Sequence, residues 1–161
     1  PALLVLDAKI ILQSRDHSRE IPLETLFSGN GKAPLNFQRG ELLTQIVIPG
    51  TAMDGFSTYL KCANRESIDF PVVGTAFWAS MEKKEYRVAF TAVDRKPLRG
   101  NRVEDFLKGK NLSEELLEEA NQIASREANP VKTSNYSPSY KRKMMGLLLR
   151  SAMQEAMRRT E

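Results

Sequence analysis

Lys61 has the clearest opening for chemistry. Residues 56–63 alternate, with Phe56, Thr58, Leu60 and Cys62 on one face and Ser57, Tyr59, Lys61 and Ala63 on the other. That puts a cation beside an aromatic ring on the face turned away from the core. One strand earlier, Leu42, Thr44, Ile46 and Ile48 alternate with Leu43, Gln45 and Val47, which turns Leu43 outward as well. An apolar side chain and a cation on the outward faces of consecutive strands can line a slot for a ring with a polar edge. Each residue also has a plainer reading, Lys61 as a solvated strand lysine and Leu43 as simple packing.

Nothing in the sequence supports catalysis by the chain alone. The single histidine, His17, stands in the polar turn 14–18, with no nucleophile to serve. No cluster has metal-ligand spacing, and Glu118 and Glu119 belong to a solvated helix face. Cys62 is the only cysteine, so four-thiolate zinc or iron–sulfur sites and internal disulfides are excluded, and its ordinary role is a small buried hydrophobe. A glycine loop such as 28–34 can bind phosphate, but this one does not lie between a strand and a convincing helix.

The elements around these residues follow from periodicity. Residues 1–28 read as strand, turn, strand and short helix. Pro49-Gly50 ends the Leu43 strand, because proline cannot donate to a ladder and glycine turns cheaply. Residues 72–81 and 86–93 form a hairpin turned at residues 82–85. From Val103 the period changes from two to about 3.6. A short helix stops near Gly109. Ser113 caps a second, with Glu114 and Glu115 in its first turn and Asn129-Pro130 ending it. Ser137-Pro138 opens a third, whose apolar stripe is Tyr140, Met144, Leu147, Leu148 and Ala152, widened by Met145, Leu149 and Ala156.

The 161 residues are 41% hydrophobic and 27% charged, which suits one compact unit or one domain plus part of another. No apolar run approaches the ~20 residues that span a bilayer, and there is no signal-peptide pattern. A start at Pro1, running straight into an apolar pattern, reads as a fragment or processed piece. The lone cysteine is compatible with the cytoplasm. Residues 138–161 carry six basic and two acidic residues, so this one segment accounts for the net charge of +4. Two readings are open for it. Lys141, Arg142 and Lys143 could contact nucleic-acid phosphates. Alternatively, the acidic helix carrying Glu114, Glu115, Glu118, Glu119 and Glu127 could pair with it inside the molecule, which favours no nucleic-acid partner.

Gly40-Glu41-Leu42-Leu43, then Ile48-Pro49, then Tyr59-Leu60-Lys61, then Arg65 and Asp69 in an Arg-x-x-x-Asp pattern, resemble the FAD-binding (medium) subunit of molybdenum hydroxylases. That family includes xanthine dehydrogenases, carbon monoxide dehydrogenases and 4-hydroxybenzoyl-CoA reductases. Residues 134–156, SNYSPSYKRKMMGLLLRSAMQEA, resemble its closing helix. The resemblance spans essentially the whole chain. It implies an α+β fold: residues 1–49 as the end of a flavin-binding domain, and 50–161 as a small antiparallel sheet with three helices packed on one face. It implies FAD as cofactor, Leu43 packing on the flavin ring, Lys61 reaching its polar edge, and the loop 64–69 beside it. The implied partners are a molybdenum-binding large subunit, an iron–sulfur subunit or domain, and the N-terminal half of the FAD subunit, which holds the pyrophosphate-binding segments. A scaffold that only binds partner subunits is the blander alternative.

Overall fold

The computed structural model describes residues 1–65, 68–130 and 136–159. Glu66 and Ser67 of the polar loop, Ser134 and Asn135 at the head of the closing segment, and Glu161 of the basic segment lie outside the described residues.

The first sheet is antiparallel, in the order β2-β1-β3, built from β1 (Lys9–Gln13), β2 (Ser18–Pro22) and β3 (Leu42–Val47). One helical turn, α1 (Ala2–Val5), precedes β1. A second turn, α2 (Leu23–Leu26), follows β2. Ile10 and Leu12 point to a core completed by Leu4, Val5, Ala8, Leu23 and Leu26.

In β3 the simple alternation fails. Ile10 pairs with Ile46, Ile11 with Gln45, but Leu12 pairs with Leu43, so Thr44 is an extra residue in a β-bulge. Its hydroxyl donates to the carbonyl of Ile11 at 3.3 Å. Residues directly opposite one another share a face, so Leu43 lies on the same side as Ile46 and the buried Leu12. The sequence put Leu43 on the outward face. The bulge turns it to the inward one, where it remains 39% exposed at the rim.

The second sheet is antiparallel in the order β4-β5-β6-β7, with β4 (Phe56–Cys62), β5 (Val73–Ser80), β6 (Glu85–Thr91) and β7 (Leu98–Arg99). The 3₁₀ turn Gly50–Asp54 joins β3 to β4. Every residue of β5 is buried, because the sheet is covered on both sides. On one side Phe77, Val88 and Phe90 meet the helices. On the other, Ala76, Trp78 and Ala89 join the core of the first sheet. The indole of Trp78 donates to the carbonyl of Ala52 at 2.9 Å, which fixes the connection between the sheets. Arg99 donates to the carbonyl of Leu4 (2.8 Å), to Asp7 (2.7 Å) and to Glu104 (2.8 Å), while Arg87 bonds Asp7 and stacks over Trp78.

The helices are α3 (Asn101–Leu107), α4 (Glu114–Ala124) and α5 (Pro138–Arg159). The side chain of Ser113 caps α4 through the amide of Leu116 at 3.3 Å, as its position implied. Helix α4 ends at Ala124, before the expected Asn129-Pro130 stop. Helix α5 lies over β4 and β5, α3 lies against β6, and α4 packs on both helices. The buried side of α5 is Lys141, Met145, Gly146, Leu149, Ala152, Met153 and Ala156. Of the expected stripe, Met145, Leu149, Ala152 and Ala156 are buried and Met144 and Leu148 pack beside them, while Tyr140 and Leu147 are exposed. Gly146 belongs to the buried side as well. A Cβ there would run into the side chain of Asn121, so a glycine sits where the two helices close.

The basic segment is also rearranged. Lys141 is buried and donates to the carbonyl of Ala92 at 3.1 Å, which removes it from any phosphate-facing patch. Arg150 pairs with Glu114 (3.1 Å) and Glu118 (3.3 Å), the expected internal pairing of the basic and acidic helices.

Candidate functional site

Lys61 stands on an edge strand, on the side expected of it. Phe56, Leu60 and Cys62 pack toward the helical core, so Ser57, Tyr59 and Lys61 face the opposite side, in register with Trp78, Ala76 and Gly74. This is the side that carries the first sheet. Gly74 is required here, because a Cβ would collide with the hydroxyl of Tyr59 and with Thr91. The ring of Tyr59 also borders an apolar groove of about 460 Å³ with Leu3, Leu4, Leu23 and Phe27. Partial burial raises the pKa of its phenol, which keeps it a neutral donor.

The exposed ammonium of Lys61 donates to the main-chain carbonyl of Asp69 at 3.2 Å. The carboxylate of Asp69 in turn accepts from the amides of Asn64 and Arg65, both at 3.2 Å, and lies 3.6 Å from the Arg65 guanidinium. Desolvation pushes its pKa up, but the charge of Arg65 and the amides of Phe70 and Arg65 outweigh that and hold it below the ordinary value. On the far side of the loop Tyr136 donates to Asn64, and the rings of Tyr136 and Tyr140 stack with centroids 5.1 Å apart. Phe70, at the end of the loop, is 91% exposed.

Leu43 is placed by a different device. Two residues before it, Glu41 is buried and receives Arg19 Nε at 2.6 Å, Arg19 Nη2 at 2.9 Å and the amide of Gln38 at 2.6 Å. His17 Nε2 lies 3.4 Å away. Arg19 also donates to the carbonyl of Asn36, so one ion pair ties β2 to the segment that enters β3. The Arg19 hydrogen bond leads in holding the carboxyl of Glu41 at about 2. Neither this clamp nor the Asp69 clamp was singled out from the sequence. Gly-Glu-Leu-Leu and Arg-x-x-x-Asp contain both carboxylates, but a carboxylate's backbone partners have no signature in spacing.

Leu43 and Lys61 thus occupy the edge strands of two sheets joined directly by residues 48–55, each on the side of its sheet that faces the other. Large apolar side chains of β3 and a single restrained ammonium on β4 match what a flavin ring needs: an apolar wall, and a cation for its polar edge. The residues fit that group. Among the described residues no cluster of His, Cys, Asp and Glu is arranged to hold a metal ion.

Known proteins converge on the same family. Residues 58–156 match the model of the CO dehydrogenase flavoprotein C-terminal domain, and residues 1–51 match the FAD binding domain in molybdopterin dehydrogenase. The glyceraldehyde dehydrogenase medium chain of Sulfolobus acidocaldarius is 30% identical over 95% of this chain and 54% of its own length. The nicotinate dehydrogenase FAD-subunit of Eubacterium barkeri is 27% identical over 73% of this chain and 41% of its own. In three dimensions the chain is similar in fold to a carbon monoxide dehydrogenase from Hydrogenophaga pseudoflava, with a TM-score of 0.87 and 24% identity over 99% of this chain and 56% of that one. The chain therefore spans about half the length of the relatives it matches. It belongs to the FAD-binding subunits of the molybdenum hydroxylase family, as a chain that carries their CO dehydrogenase flavoprotein C-terminal domain.

Proposed function

We propose that this chain forms one wall of the FAD site in a multi-subunit, cytoplasmic oxidoreductase, with Leu43 against the ring and Lys61 at its polar edge. We place the division between the flavin-binding part and the C-terminal domain at Pro49. FAD, when bound, supplies the redox exchange between iron–sulfur clusters and an external acceptor. The partners are a molybdenum-binding large subunit, an iron–sulfur subunit or domain, and the half of the FAD subunit that holds the pyrophosphate. What supports this reading is one juxtaposition: a bare apolar edge strand followed directly by an edge strand whose exposed lysine is already oriented by a backbone carbonyl.

The chain's own contributions follow from this geometry. The apolar residues of β3 exclude water from one side of the ring. Lys61 offers a positive charge where negative charge gathers on reduction, and its remaining ammonium protons can be donated. Hydrogen bonds to charged groups are worth roughly 1.5–3 kcal/mol, and each 1.4 kcal/mol is about tenfold in affinity. Lys61→Ala in the complete enzyme is expected to weaken FAD retention by about tenfold or more and to lower the flavin potential. Its melting temperature should barely move, since exposed substitutions typically change stability by only about ±0.5 kcal/mol. Lys61→Arg should restore part of the loss, because a planar fork does not reproduce a point charge. Unchanged FAD content and potential in Lys61→Ala would return Lys61 to a solvated strand lysine.

A further inference from the structure

A lysine has three ammonium protons and four flexible carbons, so a strand position alone does not aim it. Here the aim comes from one residue used twice. The carbonyl oxygen of Asp69 accepts from the Lys61 ammonium. The carboxylate of the same residue accepts from the amides of Asn64 and Arg65, at the opposite end of the loop that leaves β4. The amide of Val72 then bonds the carbonyl of Cys62 at 2.8 Å, closing the loop at its base. With both ends of the loop pinned, the Asp69 carbonyl has a fixed position relative to β4.

We propose that Asp69 is a positioning residue for Lys61: its carboxylate, tied to the amides of Asn64 and Arg65, fixes Asp69 so that its own carbonyl holds the ammonium ready for the cofactor. This rests on the reading of Lys61 as a flavin-facing cation. The physical gain is preorganisation. A lysine already restrained has less freedom to lose when a ligand arrives, and the freedom of one long side chain corresponds to roughly 2- to 10-fold in affinity. Asp69 need not touch the cofactor for this to operate. The Arg65 guanidinium, 3.6 Å away, adds its charge to the two amides.

The test is a double-mutant cycle in the complete holoenzyme, reading the FAD dissociation constant and the flavin midpoint potential for Lys61→Ala, Asp69→Ala, Asp69→Asn and the double alanine variant. Asp69→Ala should weaken FAD binding roughly 2- to 10-fold and shift the potential in the same direction as Lys61→Ala. In the Lys61→Ala background it should do nothing further. Asp69→Asn keeps an acceptor for both amides and should fall between wild type and Asp69→Ala. If Asp69→Ala does not assemble, the asparagine variant carries the same comparison at smaller amplitude. Losses that add in full, or a silent Asp69 beside a responsive Lys61, would overturn the role of Asp69 alone. A silent Lys61→Ala would overturn the flavin-facing reading and this inference with it.

Discussion

Strands β3 and β5 are both rich in apolar residues, yet they end in opposite environments. All eight residues of β5 are buried, between the helices on one side and the first sheet on the other. All six residues of β3 are exposed, and Leu42, Leu43, Ile46 and Val47, with Ile48 just beyond, present apolar side chains along an unpaired edge. Apolar sequence asks for burial but does not say by what. A sheet edge of this kind is a template for association, and contiguous exposed apolar patches mark binding surfaces. In β5 the cover is supplied within the chain. In β3, on our reading, it is supplied by FAD and by the rest of the FAD subunit.

The largest expected effect follows directly. Trp78 is fully buried, donates to Ala52 and lies under Arg87. Trp78→Ala should cost about 3–5 kcal/mol in chemical denaturation, as large-to-small changes in packed cores do. Ile46→Ala in this chain should stay near 0.5 kcal/mol, the range of exposed sites, and should grow in the complete FAD subunit once the strand is covered. Equal costs for the two variants in this chain would break the comparison.

A smaller and more local effect concerns acid. The carboxyl of Glu41, held at about 2 chiefly by Arg19, ordinarily titrates near 4.5. A group with a depressed folded-state pKa stabilises the fold above its unfolded value and loses that contribution as pH falls through the folded one. Between about pH 4.5 and 2 the entry to β3 should therefore loosen before β5 does. Faster amide exchange for residues 38–43 in that window is the expected signal, and Glu41→Gln should show it already at neutral pH. Simultaneous loosening of β5 would mean that the clamp is not local.

The sequence made much of this legible, and the exceptions have physical causes. Periodicity found the second sheet and its hairpin, the outward face of Lys61 and the Ser113 cap, because each depends on neighbours in the chain. It misplaced Leu43, because a single inserted residue, Thr44, leaves no mark on a short apolar run and reverses every face beyond it. It found most of the buried side of α5 but missed Gly146, because glycine does not count as apolar although the helix pair closes on it. It left Lys141 on a basic surface, because a buried lysine is satisfied by a carbonyl forty-nine residues away in sequence. The family resemblance supplied FAD, which no arrangement of residue types in this chain specifies alone.

The central claim is that β3, β4 and the loop after β4 form one wall of the flavin site. Hydrogen–deuterium exchange of the complete FAD subunit, with and without FAD, tests it most directly. The account predicts that FAD slows exchange in Leu42–Val47, in Phe56–Cys62 and across residues 64–70, and leaves the α4–α5 helix pair unchanged. Protection elsewhere with none in these three segments would contradict it.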